Sequence, residues 1–221
     1  MAISVKICGL NSVAAADAAL RAGADFGGLV FFAKSPRALA MPEAAMLAAR
    51  LRGRLKVTAL VVDADDELLA RIAAEVKPDF FQLHGRESAA RAAAIRANFN
   101  IPLIKVFAVA EPGDLAQVAA YEEIAEMFLF DTPSAEGSTR PGGHGVAFDW
   151  RMLAGRRFNR PWFLAGGLNP ANVARAIAVS GAAMVDVSSG VESAPGIKSE
   201  SLIADFVAAA KNPVTAGSMH A

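Results

Sequence analysis

The chain has 221 residues, 54% of them hydrophobic, and its 22 basic and 22 acidic side chains give a formal net charge of zero. That is enough apolar material for one large core, and without a long run of one charge sign there is no handle for nucleic acid or an anionic membrane surface. A single cysteine, Cys8, excludes an internal disulfide and suits a reducing cytoplasm, while the opening MAISVKICGL lacks a signal-peptide layout and no apolar stretch reaches membrane-span length.

The first apolar-alternating run, Ile3–Cys8, predicts a strand closed by Gly9, and Asn11–Ser12 caps a helix that Gly23 stops. Asp25–Phe31 is a second strand, followed by a loop containing Lys34-Ser35-Pro36-Arg37 and a helix from Pro42 to near Gly53. Lys56–Val62 is a third strand, and acidic Asp63–Glu67 opens the next helix, as the helix dipole favours. Pro78 ends that helix. Phe80–Leu83 is strand four, leading through His84-Gly85 to a helix over Glu87–Asn98. Leu103–Phe107 and Met127–Asp131 are strands five and six, with a helix from about Gly113 to Glu123 between them. The glycine-rich stretch TPSAEGSTRPGGHGVAFDW then reads as a long loop of the kind that carries function, ending in a short helix around Trp150–Leu153.

Trp162–Ala165 is strand seven and stops at Gly166–Gly167; Asn169 and Pro170 look like the cap and first residue of the following helix. Met184–Val187 is strand eight and stops at Ser188–Ser189–Gly190, and Ser199–Lys211 is the last helix. Residues 212–221 are expected to form a disordered tail after a single domain over 1–211. Two strand ends made of small residues, one helix apart, can aim several backbone N–H groups at one phosphate. Eight strand–helix units in strict alternation, with such a site after the last two, predict a (β/α)8 TIM barrel. The alternative is an open doubly wound sheet, but no G-x-G-x-x-G follows the first strand.

In a barrel, chemistry sits at the C-terminal strand ends. Cys8 there is either a small buried hydrophobe or, beside a helix N-terminus that would depress its pKa, a base. Asp131 is either a cap for the long loop or a proton donor, a role the apolar residues before it would favour. Arg37 is a solvated loop charge or a bidentate carboxylate ligand. Gln82, His84, His144 and Asp186 are candidates for the pocket wall: His84 to orient neighbours, Asp186 to hold backbone or loop hydrogen bonds, and Lys6 is the one lysine directed near them. His84 has no histidine or cysteine at ligand spacing, so no metal is expected.

The motifs KICGL (Lys6–Leu10), GLVFFAKSPRAL (Gly28–Leu39), QLHG (Gln82–Gly85), Asp131, the GGHG and FDW of the long loop, LAGGLNPANV (Leu164–Val173) and VDVSSGVE (Val185–Glu192) occur in this order. Together they resemble phosphoribosylanthranilate isomerase over nearly the whole chain. The resemblance implies a barrel of the ribulose-phosphate-binding type and the Amadori rearrangement of N-(5-phosphoribosyl)anthranilate in tryptophan biosynthesis, without a cofactor. It implies Cys8 as base, Asp131 as acid, Arg37 as the carboxylate ligand, and Gly166, Gly167, Ser188, Ser189 and Gly190 as the phosphate loops. The implied partner is a phosphosugar substrate, bound by a cytoplasmic monomer or homodimer, with no nucleic acid or membrane. Two departures stand out: His144 replaces a small hydroxyl residue in GGHG, and strand three reads VTALVV where a V-G-V-F-like run is common. Another phosphosugar barrel enzyme, and a barrel that binds a phosphorylated metabolite without reacting, are the competing readings; retention of both Cys8 and Asp131 argues against the second.

Overall fold

The computed structural model describes residues 2–133 and 148–212. Eight strands run in parallel and close into a barrel in chain order. They are β1 (Ser4–Cys8), β2 (Phe26–Val30), β3 (Lys56–Val61), β4 (Phe80–Leu83), β5 (Leu103–Ala108), β6 (Met127–Asp131), β7 (Trp162–Leu164) and β8 (Met184–Val187). The seam that closes it pairs β1 with β8, Lys6 opposite Asp186 and Ile7 opposite Val187. The helices packed outside are α1 (Val13–Ala22), α2 (Met41–Leu51), α3 (Asp66–Arg71), α4 (Ala89–Phe99), α5 (Val173–Ser180) and α6 (Glu200–Lys211). His144 and residues 213–221 lie outside the described residues.

The helix ends follow local chemistry. Ser12 Oγ accepts the Ala15 N–H at the start of α1, and Gly23, at φ 78°, ends it in the left-handed region. Ser88 and Ser199 cap α4 and α6 in the same way. Three expectations are corrected. The segment Pro112–Tyr121 is a 3-10 helix, its start pinned by Asp114, whose carboxylate accepts the Ala110 and Glu111 N–H groups, with Pro112 and Gly113 poor helix formers in the first turn. The helix after β3 is α3 continued by a π-helical turn over Ile72–Val76. The helix after β7 starts at Val173, not Pro170, because Asn169 and Asn172 bond each other's backbone first: Asn169 Oδ1 accepts from the Asn172 N–H and Asn172 Oδ1 from the Asn169 N–H.

Strand parity sorts the side chains into two layers. Outward residues such as Val5, Ile7, Phe81, Phe107, Phe128, Phe130 and Val185 join the large cluster beneath the helices. Inward residues Phe26, Ile104, Val106, Leu129, Phe163 and Ala165 fill the barrel itself, with the Phe26 and Phe163 rings edge to face at 5.2 Å. Above them Cys8, Val30 and Leu60 form a small cluster toward the C-terminal strand ends. By the same parity Lys6, Gln82, Asp131 and Asp186 share the inward face, and all four are buried. Phe163 has no exposure and plugs the barrel axis, so Phe163→Ala should cost about 3–5 kcal/mol through lost transfer energy and a residual cavity, read as a lower denaturant midpoint.

Candidate active site

The loops after β7 and β8 line one cleft, to which Asp131, Gly166, Gly167, Asp186, Ser188 and Ser189 contribute. Gly166 and Gly167 both hold positive φ, 81° and 64°, a conformation that suits glycine and turns the backbone toward the cleft. Gly190 lies behind the cleft rather than on it: a Cβ there would run into the Leu168 carbonyl, so its part is to let the two loops pack together. Ser188 Oγ donates to the Cys8 carbonyl at 3.1 Å, tying the β8 loop to the end of β1.

Beside this cleft, Lys6 Nζ donates to Asp186 Oδ1 at 2.9 Å and has no solvent exposure. Burial opposes its charge, but the Asp186 carboxylate and the Cys8 sulfur favour it, and the pKa stays above the usual lysine value. Cys8 is the neighbour on that face. Gly28 leaves room for both, since a Cβ there would stand 3.0 Å from Cys8 Sγ and 3.1 Å from Lys6 Nζ. Burial pushes the Cys8 thiol up, and the nearby Lys6 ammonium only partly offsets this. That corrects the expectation of a thiol acidified by a helix dipole. Helix α1 begins at Val13 and its Ala15 N–H goes to Ser12, while burial is the largest influence on the thiol.

Arg37 is not a solvated loop charge. It is 8% exposed, and its Nε and Nη2 donate to the two oxygens of Glu192 at 2.6 and 2.8 Å. Glu192 Oε1 also accepts from Lys198 Nζ at 2.8 Å, and Lys198 donates to the Ser188 carbonyl. Lys198 therefore joins Lys6 beside the site, against the expectation of one lysine. It is carried by a hairpin of β9 (Glu192–Ala194) and β10 (Ile197–Lys198), with Gly196 at φ 82° in the turn. The Pro195-Gly196 pair was the sequence signal for that turn. Burial pushes the Lys198 amine down, while for Glu192 burial is overcome by Arg37 and Lys198, which hold its carboxyl at about 2.

Across the cleft, Asp131 Oδ2 lies 3.4 Å from His84 Nε2, and Oδ1 accepts the Thr132 N–H at 2.8 Å. Gln82 Nε2 sits 3.3 Å from His84 Nδ1; in this amide orientation Nδ1 accepts, which goes with the ring proton on Nε2, toward Asp131. Of the apolar run before Asp131, Phe128 and Phe130 point outward into the helix layer, and Leu129 is the member that shares its inward face. Among the described residues no group of three or more His, Cys, Asp or Glu side chains could hold a metal ion, and no helix is long and apolar enough to cross a membrane.

The family described as N-(5'phosphoribosyl)anthranilate (PRA) isomerase matches residues 5–209, which takes in all eight loop-bearing strand ends. The chain belongs to the phosphoribosylanthranilate isomerase family. An N-(5'-phosphoribosyl)anthranilate isomerase from Rhodopseudomonas palustris is 50% identical over 211 residues, covering 96% of this chain and 97% of that protein. The phosphoribosylanthranilate isomerase of Thermotoga maritima is 33% identical, with a TM-score of 0.85 over 95% of this chain and 99% of its own. A further phosphoribosylanthranilate isomerase structure, in complex with reduced 1-(o-carboxyphenylamino)-1-deoxyribulose 5-phosphate, is 32% identical over 95% of this chain and 99% of its own, with a TM-score of 0.82.

The Glu192 pairing makes stability depend on acid. A carboxyl depressed in the fold contributes fully above its unfolded value and loses that contribution as pH falls through the folded value. Lowered from 4.5 to about 2, Glu192 contributes at most about 3 kcal/mol at neutral pH. Glu192→Gln should therefore be less stable than the parent at neutral pH, and denaturant midpoints of the two should converge between about pH 5 and pH 2.

Proposed function

We propose that the chain converts N-(5-phosphoribosyl)anthranilate into 1-(2-carboxyphenylamino)-1-deoxyribulose 5-phosphate in tryptophan biosynthesis. The observation that carries this reading is one cleft joining a carboxyl group, Asp131, to two small-residue loops, with the buried Cys8–Lys6–Asp186 cluster on its other side, in a chain of this family. The Gly166–Gly167 and Ser188–Ser189 backbone offers N–H groups to the phosphate. Arg37 meets the anthranilate carboxylate with the guanidinium edge its Glu192 pair leaves over, and Glu192 fixes the plane of that edge. Gripping both ends of the substrate supplies orientation, which removes much of the entropic barrier.

Asp131 then gives a proton to the furanose ring oxygen, and the C1′–O bond breaks to leave a protonated Schiff base. That iminium acidifies the C2′ hydrogen, which Cys8 removes as a thiolate, and the resulting enolamine tautomerises to the ketone. The Lys6 and Lys198 ammoniums favour the thiolate against the cost of burial. His84 faces Asp131 with an N–H and can stabilise the carboxylate left behind.

Turnover of freshly generated phosphoribosylanthranilate, followed by its falling fluorescence, tests the assignment. Asp131→Asn keeps shape but has no proton to give, and Cys8→Ser puts a far weaker acid in place of the base. Each should lower kcat by roughly 10²–10⁴-fold while the substrate dissociation constant moves little. Near-normal turnover by Cys8→Ser would remove the mechanism.

The state of the thiol is directly measurable, because Cys8 is the sole cysteine. Since burial raises its pKa, the Cβ carbon resonance in the ligand-free protein should titrate above the ordinary thiol value of about 8.5. Lys6→Met removes a charge that lowers it and should move the titration further up; a midpoint near neutrality in the parent would contradict this.

A further inference from the structure

The wall formed by β3, β4 and β5 holds a further set of buried charges, which does not border the cleft. Lys105 has the strand parity of Leu103 and Phe107, so its side chain lies on the helix-facing side of β5. Its Nζ is 2.7 Å from Glu87 Oε2, with side-chain exposures of 5% and 2%. Their other side-chain bonds go to the end of β4 and to the loops after β3 and β4. Lys105 Nζ donates to the Gly85 carbonyl at 2.9 Å, and Glu87 accepts the Gly85 N–H at 3.1 Å and the Asp63 N–H at 2.9 Å. Tyr121 Oη donates to the Glu87 carbonyl at 2.8 Å, and the Tyr121 ring centroid is 5.8 Å from the ammonium. Asp63 holds a left-handed φ of 48°, accepts the Arg86 N–H at 2.7 Å, and stands so close to Gly85 that a Cβ there would lie 2.7 Å from the Asp63 nitrogen.

A buried ion pair seldom stabilises a fold more than apolar residues of the same volume, so its worth lies in where it fixes its neighbours. Here both backbone polar groups of Gly85 are held, and the residue before it is His84. The His84 N–H is bonded to the Val61 carbonyl at 3.0 Å, and its ring faces Asp131 at 3.4 Å. We propose that Lys105 and Glu87 are positioning residues that clamp the loop after β4 so that His84 Nε2–H is aimed at the Asp131 carboxylate. This rests on the reading of Asp131 as the acid. A carboxylate that has just given up its proton gains most from a donor already in place, and a contact of this length tightens when the reactive complex forms.

The test is a double-mutant cycle on kcat. Lys105→Met with Glu87→Gln removes both charges together, so no unpaired charge is left buried. The pair of changes should lower kcat roughly 10–100-fold, the range for misplacing a reacting group by about an ångström, with KM little altered. Repeated in a His84→Ala background, the same changes should have almost no further effect. Tyr121→Phe, which loses only one bond to Glu87, is a milder probe should the pair fail to fold, and its smaller loss should likewise vanish without His84. Full kcat in the altered proteins, or equal losses with and without His84, overturns the proposal. Nitrogen resonances of the His84 ring give a readout apart from turnover: the parent should show one Nε2-protonated form, and the clamp variants a mixture. If the parent has no isomerase activity, the function assigned above fails, and unchanged ring resonances in the variants would sink the clamp as well.

Discussion

The Lys6 ammonium is fully shielded from solvent inside the barrel, where an unpaired charge would cost several kcal/mol. The mouth is fitted around that constraint. Lys6 and Asp186 are register partners on the seam where β1 meets β8, both inward by parity, so the pair forms wherever the barrel closes in this register. A slip of one residue would turn Lys6 into the helix layer and break the pair along with the hydrophobic alternation. Gly28 on β2 supplies the missing volume, and Cys8, two residues along from Lys6, shares the space it leaves. The closing seam of the barrel and the electrostatics of the proposed base are therefore one arrangement.

Period and punctuation made the barrel legible. Strands four, six and eight coincide with their apolar runs, and Gly23 and Ser12 stop and start α1 as turn and cap chemistry requires. The misjudged segments are those where side chains take over from the backbone. Asn169 and Asn172 hold three residues out of α5, and Asp114 with Pro112 tightens a helix into 3-10 geometry. Among site residues, the cleft-lining glycines and serines and Asp131 could be placed from strand ends alone. The partners could not. Glu192 lies 155 positions from Arg37, and Glu87 is 18 from Lys105 across a strand boundary, distances at which charge pairing leaves no local pattern.

The three buried ionic groups described above divide by position. Lys105 and Glu87 work from outside the wall on a loop, touching backbone at nearly every bond. Arg37, Glu192 and Lys198 bind the loop after β2 to a hairpin and, through the Ser188 carbonyl, to the β8 end. Lys6 and Asp186 lie between strands. Each replaces what a longer loop or larger core would do in fixing a geometry, and none needs to add net stability to be retained.

Charge around the thiol is also unequal. On that side of the mouth Lys6, Lys198 and Arg37 are three cations, and Asp186 and Glu192 are two carboxylates, which leaves one positive charge uncompensated among the described residues. A neutral thiol at Cys8 keeps that excess; a thiolate cancels it. The excess cannot by itself bring the thiol down, because burial dominates, but it makes the ionised form the one in which the cluster is balanced. An anionic substrate group held by Arg37 would compete for the same excess. A base whose charge is only marginally supported in the free protein is then best used after ring opening, when the substrate itself has gained the positive charge of an iminium. In the proposed mechanism the cation that makes C2′ acidic would stand next to the sulfur that must ionise, so the substrate would supply at the moment of proton abstraction the electrostatic support that the protein provides only in part.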